Sequence, residues 1–210
     1  MLSIQQYGIK LIRLSEKDIE MVRCWRNQSD INNYMEYKNY ITPIMQKEWF
    51  KSIHNKFNYY FVIEFEGIQV GLINAKNYIP EQGFGEGGIF IADKKYELSF
   101  AAVLATLCIL NFVFFTLKIC KTSMVRILRT NERAIHYNKL IGYRLLPNQE
   151  NTFNQLYKLT IEDYIEHGTK LNKAAAILNN DDATLTYSGT VCDENIDEVN
   201  KLLLAKNFYV

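Results

Sequence analysis

Several stretches of the chain read as β-strands from their spacing. Gly8 to Leu14 (GIKLIRL) alternates apolar and polar residues, and Lys121 to Leu128 (KTSMVRIL) does the same with a β-rich end. Tyr59 to Glu66 (YYFVIEFE) and Gln69 to Lys76 (QVGLINAK) flank Gly67, which predicts a hairpin. Shorter strands are expected at Gly88 to Ile91, Tyr143 to Leu146 and Asn154 to Leu159. Helical spacing joins Ile19, Val22, Trp25 and Arg26, after a Ser15–Asp18 pair with capping-box spacing. It recurs at Met45, Trp49, Phe50 and Ile53 after Thr42-Pro43, with proline in the first turn. Residues 78–88 hold Pro80 and four glycines and predict a loop; Asp93-Lys94-Lys95 predicts a charged turn.

Phe100 to Leu117 (FAAVLATLCILNFVFFTL) is apolar almost all round. Its length is at the short limit for a membrane span, and Thr106, Asn111 and Thr116 interrupt it, so a buried core helix is the better reading. A second, amphipathic helix opens at Asn131 and stops at Gly142. The order β-α-α-β-β-β-α-β-α-β-β predicts an α/β (mixed α+β) class: a central twisted mixed sheet flanked by helices. Past Tyr164 the pattern changes. Residues 1–168 are expected to form one domain. Residues 169–210, with a short strand at Ala183 to Ser188 and an apolar face at Ile196, Val199, Leu202 and Leu203, are expected to form a small β-α appendage. Such a piece is too small to fold alone and must pack on the domain or on a partner subunit, a possible homodimer.

Composition narrows the function. The 210 residues carry 24 Lys and Arg against 23 Asp and Glu, a net charge of +1, which lacks the basic footprint of a nucleic-acid binder. Cys24, Cys108, Cys120 and Cys192 form no CxxC pair and read as reduced packing residues, and the N-terminus has no signal-peptide pattern, so a cytoplasmic protein is expected. His54, His136 and His167 are isolated and predict no metal site.

The stretch Asn131 to Tyr143 (NERAIHYNKLIGY), placed after a central helix and a strand, resembles the last motif of the GNAT acyl-CoA N-acyltransferase superfamily. Asn131, Ala134, Ile135, Ile141, Gly142 and Tyr143 match that pattern, as do Phe114 and Leu117 at the end of the apolar helix. Trp25-Arg26-Asn27 and the Thr42–Ile53 helix resemble a subgroup, the aminosugar N-acetyltransferases of the pseudaminic acid pathway, and more loosely the ribosomal-protein N-terminal acetyltransferases.

The resemblance implies a GNAT-like fold and transfer of an acetyl group from acetyl-CoA, as cosubstrate, to a small-molecule primary amine, with an amino sugar on a nucleotide carrier as the leading acceptor. The alternatives are an N-terminal protein acetyltransferase and a non-catalytic binding module. It implies that the cofactor's pantetheine arm pairs with a splayed strand at Gly88 to Ile91, including Phe90 and Ile91, and that its diphosphate sits at the next helix, near Ser99, Phe100 and Ala101. Asn131 is either a contact of the pantetheine arm or a helix cap. The diphosphate loop departs from the family pattern: it reads Glu97 to Ala102 (ELSFAA), with Glu97 where Arg or Gln is usual and Leu98 and Phe100 where glycines are usual. Lys94 and Lys95 either replace the missing charge or form a solvated turn. Glu86 is the candidate base, ahead of Glu64 and Glu66. The acid tyrosine's position is held by Asn138, with Tyr137 one residue earlier, about 100° around the helix. Trp25, Tyr34, Tyr37, Tyr40 and Trp49 are either core or a platform for a sugar or base.

Overall fold

A computed structural model describes residues 2–55, 57–79, 83–118, 120–180 and 182–188. Among these, nine strands form one sheet: β1 (Ser3–Gln6), β2 (Ile9–Arg13), β3 (Tyr59–Phe65), β4 (Ile68–Ile79), β5 (Phe84–Ile91), β6 (Thr122–Leu128), β7 (Arg144–Leu145), β8 (Asn154–Thr160) and β9 (Thr186–Ser188). Their order is β7-β8-β6-β5-β4-β3-β2-β1-β9. Every neighbouring pair is antiparallel except β5 and β6, which α4 (Ala101–Asn111) joins as a crossover. The mixed α/β class expected from the element order is the one found.

Each face of the sheet has its own core, and β3 serves both. Its period of two sends Tyr59, Phe61 and Ile63 to the larger cluster under α4, and Tyr60 and Val62 to the smaller one on the other face. The smaller cluster is covered by α1 (Ile19–Arg26) and α3 (Pro43–Ile53), through Val22, Trp25, Trp49, Phe50 and Ile53. Between them lies a short α2 (Ser29–Asn32). Proline at the first position and Thr42, whose side chain accepts from the Met45 N–H at 3.3 Å, start α3 as the sequence predicts.

Several expectations are corrected. The chain's first strand is β1, ahead of the predicted one. Tyr7 and Gly8, both at positive φ, turn it into β2 in the manner of Glu66 and Gly67 between β3 and β4. Ser15 does not cap α1. Asp18 occupies the cap position, and both the N–H and the hydroxyl of Ser15 donate to its carboxylate, at 2.9 and 2.6 Å. Most of the glycine-rich loop expected at 78–88 is strand, because β4 runs to Ile79 and β5 starts at Phe84. The apolar helix is shorter than expected. It starts at Ala101, with Phe100 62% exposed at its N-cap, and its last turn, Phe112–Thr116, is π-helical. No helix among the described residues is long and apolar enough to cross a membrane.

Past Thr160 the chain runs helical through α6 (Ile161–Asp163), a π-helical turn (Tyr164–Gly168) and α7 (Thr169–Asn179), crossing residue 168 without a break. A buried polar network ties α7 to the sheet and to α4. Tyr7 Oη and Asn111 Nδ2 donate to Asn172 Oδ1 at 2.7 and 2.8 Å, and Asn172 Nδ2 donates to Tyr164 Oη at 3.0 Å. β9 then adds to the edge of the sheet beside β1. Cys192 and the apolar face at Ile196, Val199, Leu202 and Leu203 lie outside the described residues.

Candidate active site

The sheet opens where the parallel pair of β5 and β6 ends. β5 and β6 are in register from Phe84 with Thr122 to Gly87 with Val125. Beyond that point Gly88 to Ile91 pair only with β4, and Arg126 to Leu128 only with β8. One edge of Gly88 to Ile91 therefore offers backbone donors and acceptors to a cavity of about 1110 Å³. Gly71 holds the outer side of this wedge. A Cβ there would lie 2.2 Å from the Phe90 carbonyl oxygen, so only glycine lets β4 approach β5 so closely. Phe90 and Ile91 stand on the free stretch. The Phe90 ring turns towards α1 and meets Trp25 edge-on at 6.4 Å, and Ile91 packs towards α4.

At the head of the wedge is the first turn of α4. Asp93 accepts from the Lys95 N–H, a short 3₁₀ turn follows (Lys94–Tyr96), and the Ser99 hydroxyl donates to the Tyr96 carbonyl at 2.7 Å and accepts from the Ala101 N–H at 3.2 Å. Both lysines nominated from the sequence are engaged. Lys94 forms an ion pair with Asp30, and Lys95 lies on the Tyr96 ring and donates to its hydroxyl. The residue that sequence reasoning missed is Arg133, on α5 (Glu132–Ile141). Its guanidinium meets the Glu97 carboxylate at 2.8 Å and also donates to the Glu97 carbonyl, so the atypical acid is matched by a cation from 36 residues away. Leu98 and Phe100 point outward, and both are exposed.

α5 forms the floor. Asn131 caps it by accepting from the Ala134 N–H at 3.1 Å and also lines the cavity, and Gly142 ends it in the left-handed conformation. Tyr137 donates its hydroxyl to the Ala102 carbonyl in the first turn of α4 at 2.9 Å, and burial pushes this phenol well above the ordinary tyrosine range. Asn138 is buried on the same cavity, and its amide donates to the Ala134 carbonyl at 2.8 Å.

On the α1–α3 face, the period of two brings Asn74, Lys76 and Glu86 together with Tyr60 from β3. The Glu86 carboxylate sits between Lys76 Nζ at 3.0 Å and Arg126 Nε at 3.7 Å. The Tyr60 phenol is pushed up to about 12, first by burial and then by the charge of Glu86, with Arg26 opposing. Trp49 meets the Tyr60 ring edge-on at 5.3 Å, and Trp25 and Trp49 are packing residues of the smaller core. Tyr34 and Tyr37 are exposed at the cavity mouth. Tyr40 is instead held by Arg23. Glu64 pairs with Lys10, and Glu66 accepts from Tyr96, both away from the cavity.

Most of the chain superposes on solved structures. FdhC, described as a nucleotide-linked sugar GNAT, superposes with a TM-score of 0.67 at 21% identity, over 82% of this chain and 97% of that one. The fold is the GNAT fold. Spermidine N-acetyltransferase from Vibrio cholerae, solved with CoA and spermine, matches with a TM-score of 0.63 at 18% identity, over 75% of this chain and 98% of that one. A domain from Methanocaldococcus jannaschii DSM 2661 matches with a TM-score of 0.63 at 17% identity, over 77% of this chain and 99% of the domain. No family model and no curated protein matches the sequence.

Proposed function

We propose that this protein transfers the acetyl group of acetyl-CoA to the primary amine of a small acceptor, an amino sugar carried on a nucleotide. The observation that carries the reading is the separation of β5 from β6 after Gly87 and Val125, which leaves Gly88 to Ile91 free to pair with the amides of a pantetheine arm. The diphosphate then lies at the first turn of α4, around Ser99 to Ala101, where N–H groups and the helix dipole favour an anion. Lys94 and Arg133 stand beside it, whereas Lys95 is turned onto Tyr96 and does not line the cavity. The V. cholerae enzyme solved with CoA supports the cosubstrate, and the likeness to FdhC supports the sugar acceptor.

The amine enters from the α1–α3 face. Its proton passes through water to Glu86, its nitrogen forms the bond to the thioester carbon, and the carbon–sulfur bond breaks. Water returns a proton to the thiolate. Tyr137, whose hydroxyl is already given to Ala102, holds the floor under the thioester, and Asn138 shapes the same floor. Titration with acetyl-CoA by calorimetry comes first. Acetyl transfer to nucleotide-linked amino sugars, spermidine and short peptides follows. Absence of binding at about 1 mM, the weak end of ordinary substrate constants, sinks the reading. The non-catalytic alternative draws on Glu97 at the head of α4, and it is favoured if Glu97→Gln with Phe100→Gly also fails to bind.

A further inference from the structure

α1 and α3 each send one polar side chain into the cavity on the same face of the sheet, Arg26 from α1 and Gln46 from α3. Gln46 keeps only 3% of its surface exposed. Its Nε2 and the Nε of Arg26 are both buried and both lack a hydrogen-bond partner among the described residues. Burial lowers the Arg26 pKa, and the Tyr60 phenol is the neighbour that acts most on its charge. Buried donors are almost always paired, so two unpaired ones on one cavity wall need acceptor oxygens from outside the chain.

The surroundings select the sign of that ligand. Of the four acids lining the cavity, Glu86 is held by Lys76 and Arg126, Asp30 by Lys94 and Glu97 by Arg133, and neither these three nor Glu36 forms an ion pair with the guanidinium of Arg26 among the described residues. The end of α1 is also held rigidly. Asn27, next to Arg26, exchanges two hydrogen bonds with the backbone of Ile41, both at 2.9 Å, and Arg23 donates to the Ile41 carbonyl at 3.0 Å. The backbone that carries Arg26 is thus held in place before any ligand arrives. A planar guanidinium beside an amide N–H₂ is suited to the oxygens of a carboxylate or phosphate, and it repels a polycation.

We propose that Arg26 and Gln46 form the seat for an anionic group, carboxylate or phosphate, of the acceptor. The proposal rests on the acetyl-transfer reading for the term acceptor, but binding of the anion is measurable without it. The test uses calorimetry with uridine diphosphate, with glutamate and with spermidine, each with and without saturating CoA to occupy the diphosphate end. Binding of either anion, weakened about tenfold or more by Arg26→Met and by Gln46→Met, is the expected result, and the better anion names the source. Acetyl-CoA affinity stays unchanged in both variants. Tm does not fall in Arg26→Met, because the variant loses no hydrogen bond of the fold and removes a partly desolvated, unpaired Nε. A structural role for Arg26 would instead lower Tm. The proposal is overturned if neither anion binds, if Arg26→Met binds them as wild type does, if spermidine binds more tightly than both, or if Arg26→Met loses its fold and Gln46→Met binds normally. Failure of acetyl-CoA to bind would remove the reading above while leaving the anion titrations to be judged alone.

Discussion

On the proposed reading, cofactor affinity turns on the Glu97–Arg133 pair at the head of α4. The carboxylate alone, at the head of α4, would repel a diphosphate; the guanidinium held against it carries the charge that a phosphate needs. Replacing Glu97 by Gln frees that charge, and acetyl-CoA should bind several-fold more tightly. Arg133→Ala should weaken it and flatten its salt dependence. Both side chains are about half exposed, so stability should move by less than about 1 kcal/mol. Weaker binding by Glu97→Gln in titration calorimetry would contradict this account. Tyr137 tests the chemistry. Tyr137→Phe loses one buried hydrogen bond, worth about 1 kcal/mol in Tm or urea experiments. With water as the acid, kcat should change by less than about tenfold, and a fall of about a hundredfold or more would make the phenol the proton donor.

At the scale of elements, the site depends on how closely β4 carries β5. A methyl group at Gly71 would collide with the Phe90 carbonyl, so Gly71→Ala must push β5 outward where the wedge opens. The expected cost is about 1–3 kcal/mol of stability together with weaker acetyl-CoA binding, read by thermal unfolding and calorimetry. Normal values for both would show that β5 shifts freely. The elements that depend on neighbouring residues alone were legible in the sequence. The Thr42-Pro43 start of α3, the Gly67 hairpin and the Asn131 and Gly142 ends of α5 are all set within a few residues. β1 was not legible: SIQQ is short and largely polar, and it is a strand because β2 and β9 pair with it. For the same reason residues 78–79 and 84–88 read as loop. Glycine is poor in strands, and the ladders to β4 and β6 override that preference.

For the whole molecule, buried hydroxyl and thiol groups set the alkaline limit. Tyr60 and Cys120 are each pushed up to about 12, chiefly by burial, and Tyr137, Tyr143 and Tyr164 are raised for the same reason. The folded state holds these protons above their unfolded values. Their stabilisation is therefore complete below about pH 9 and is lost as pH rises towards 12, by ~1.4 kcal/mol per pH unit for each group that has ionised only in the unfolded chain. Tm should fall steeply in that window, less so in Tyr60→Phe, with tyrosinate absorbance rising at the unfolding transition; ionisation well before unfolding would refute it. Asn172 tests the integrity of the C-terminal helix. Asn172→Ala removes three part-buried hydrogen bonds, to Tyr7, Asn111 and Tyr164, while Asn111 keeps Gln6 and Tyr164 keeps Asn111, and should cost about 1–2 kcal/mol in urea unfolding. By itself the sequence determined the mixed α/β class, the capped ends of α3 and α5, the apolar centre and the GNAT-like order, because periodicity and capping are local properties. Only the tertiary structure decided that Arg133 meets Glu97, that Arg26 and Gln46 share a cavity wall, and that Glu86 sits between two cations. Those pairings join residues far apart in the chain, and their positions follow from which strands pair and where one pair comes apart.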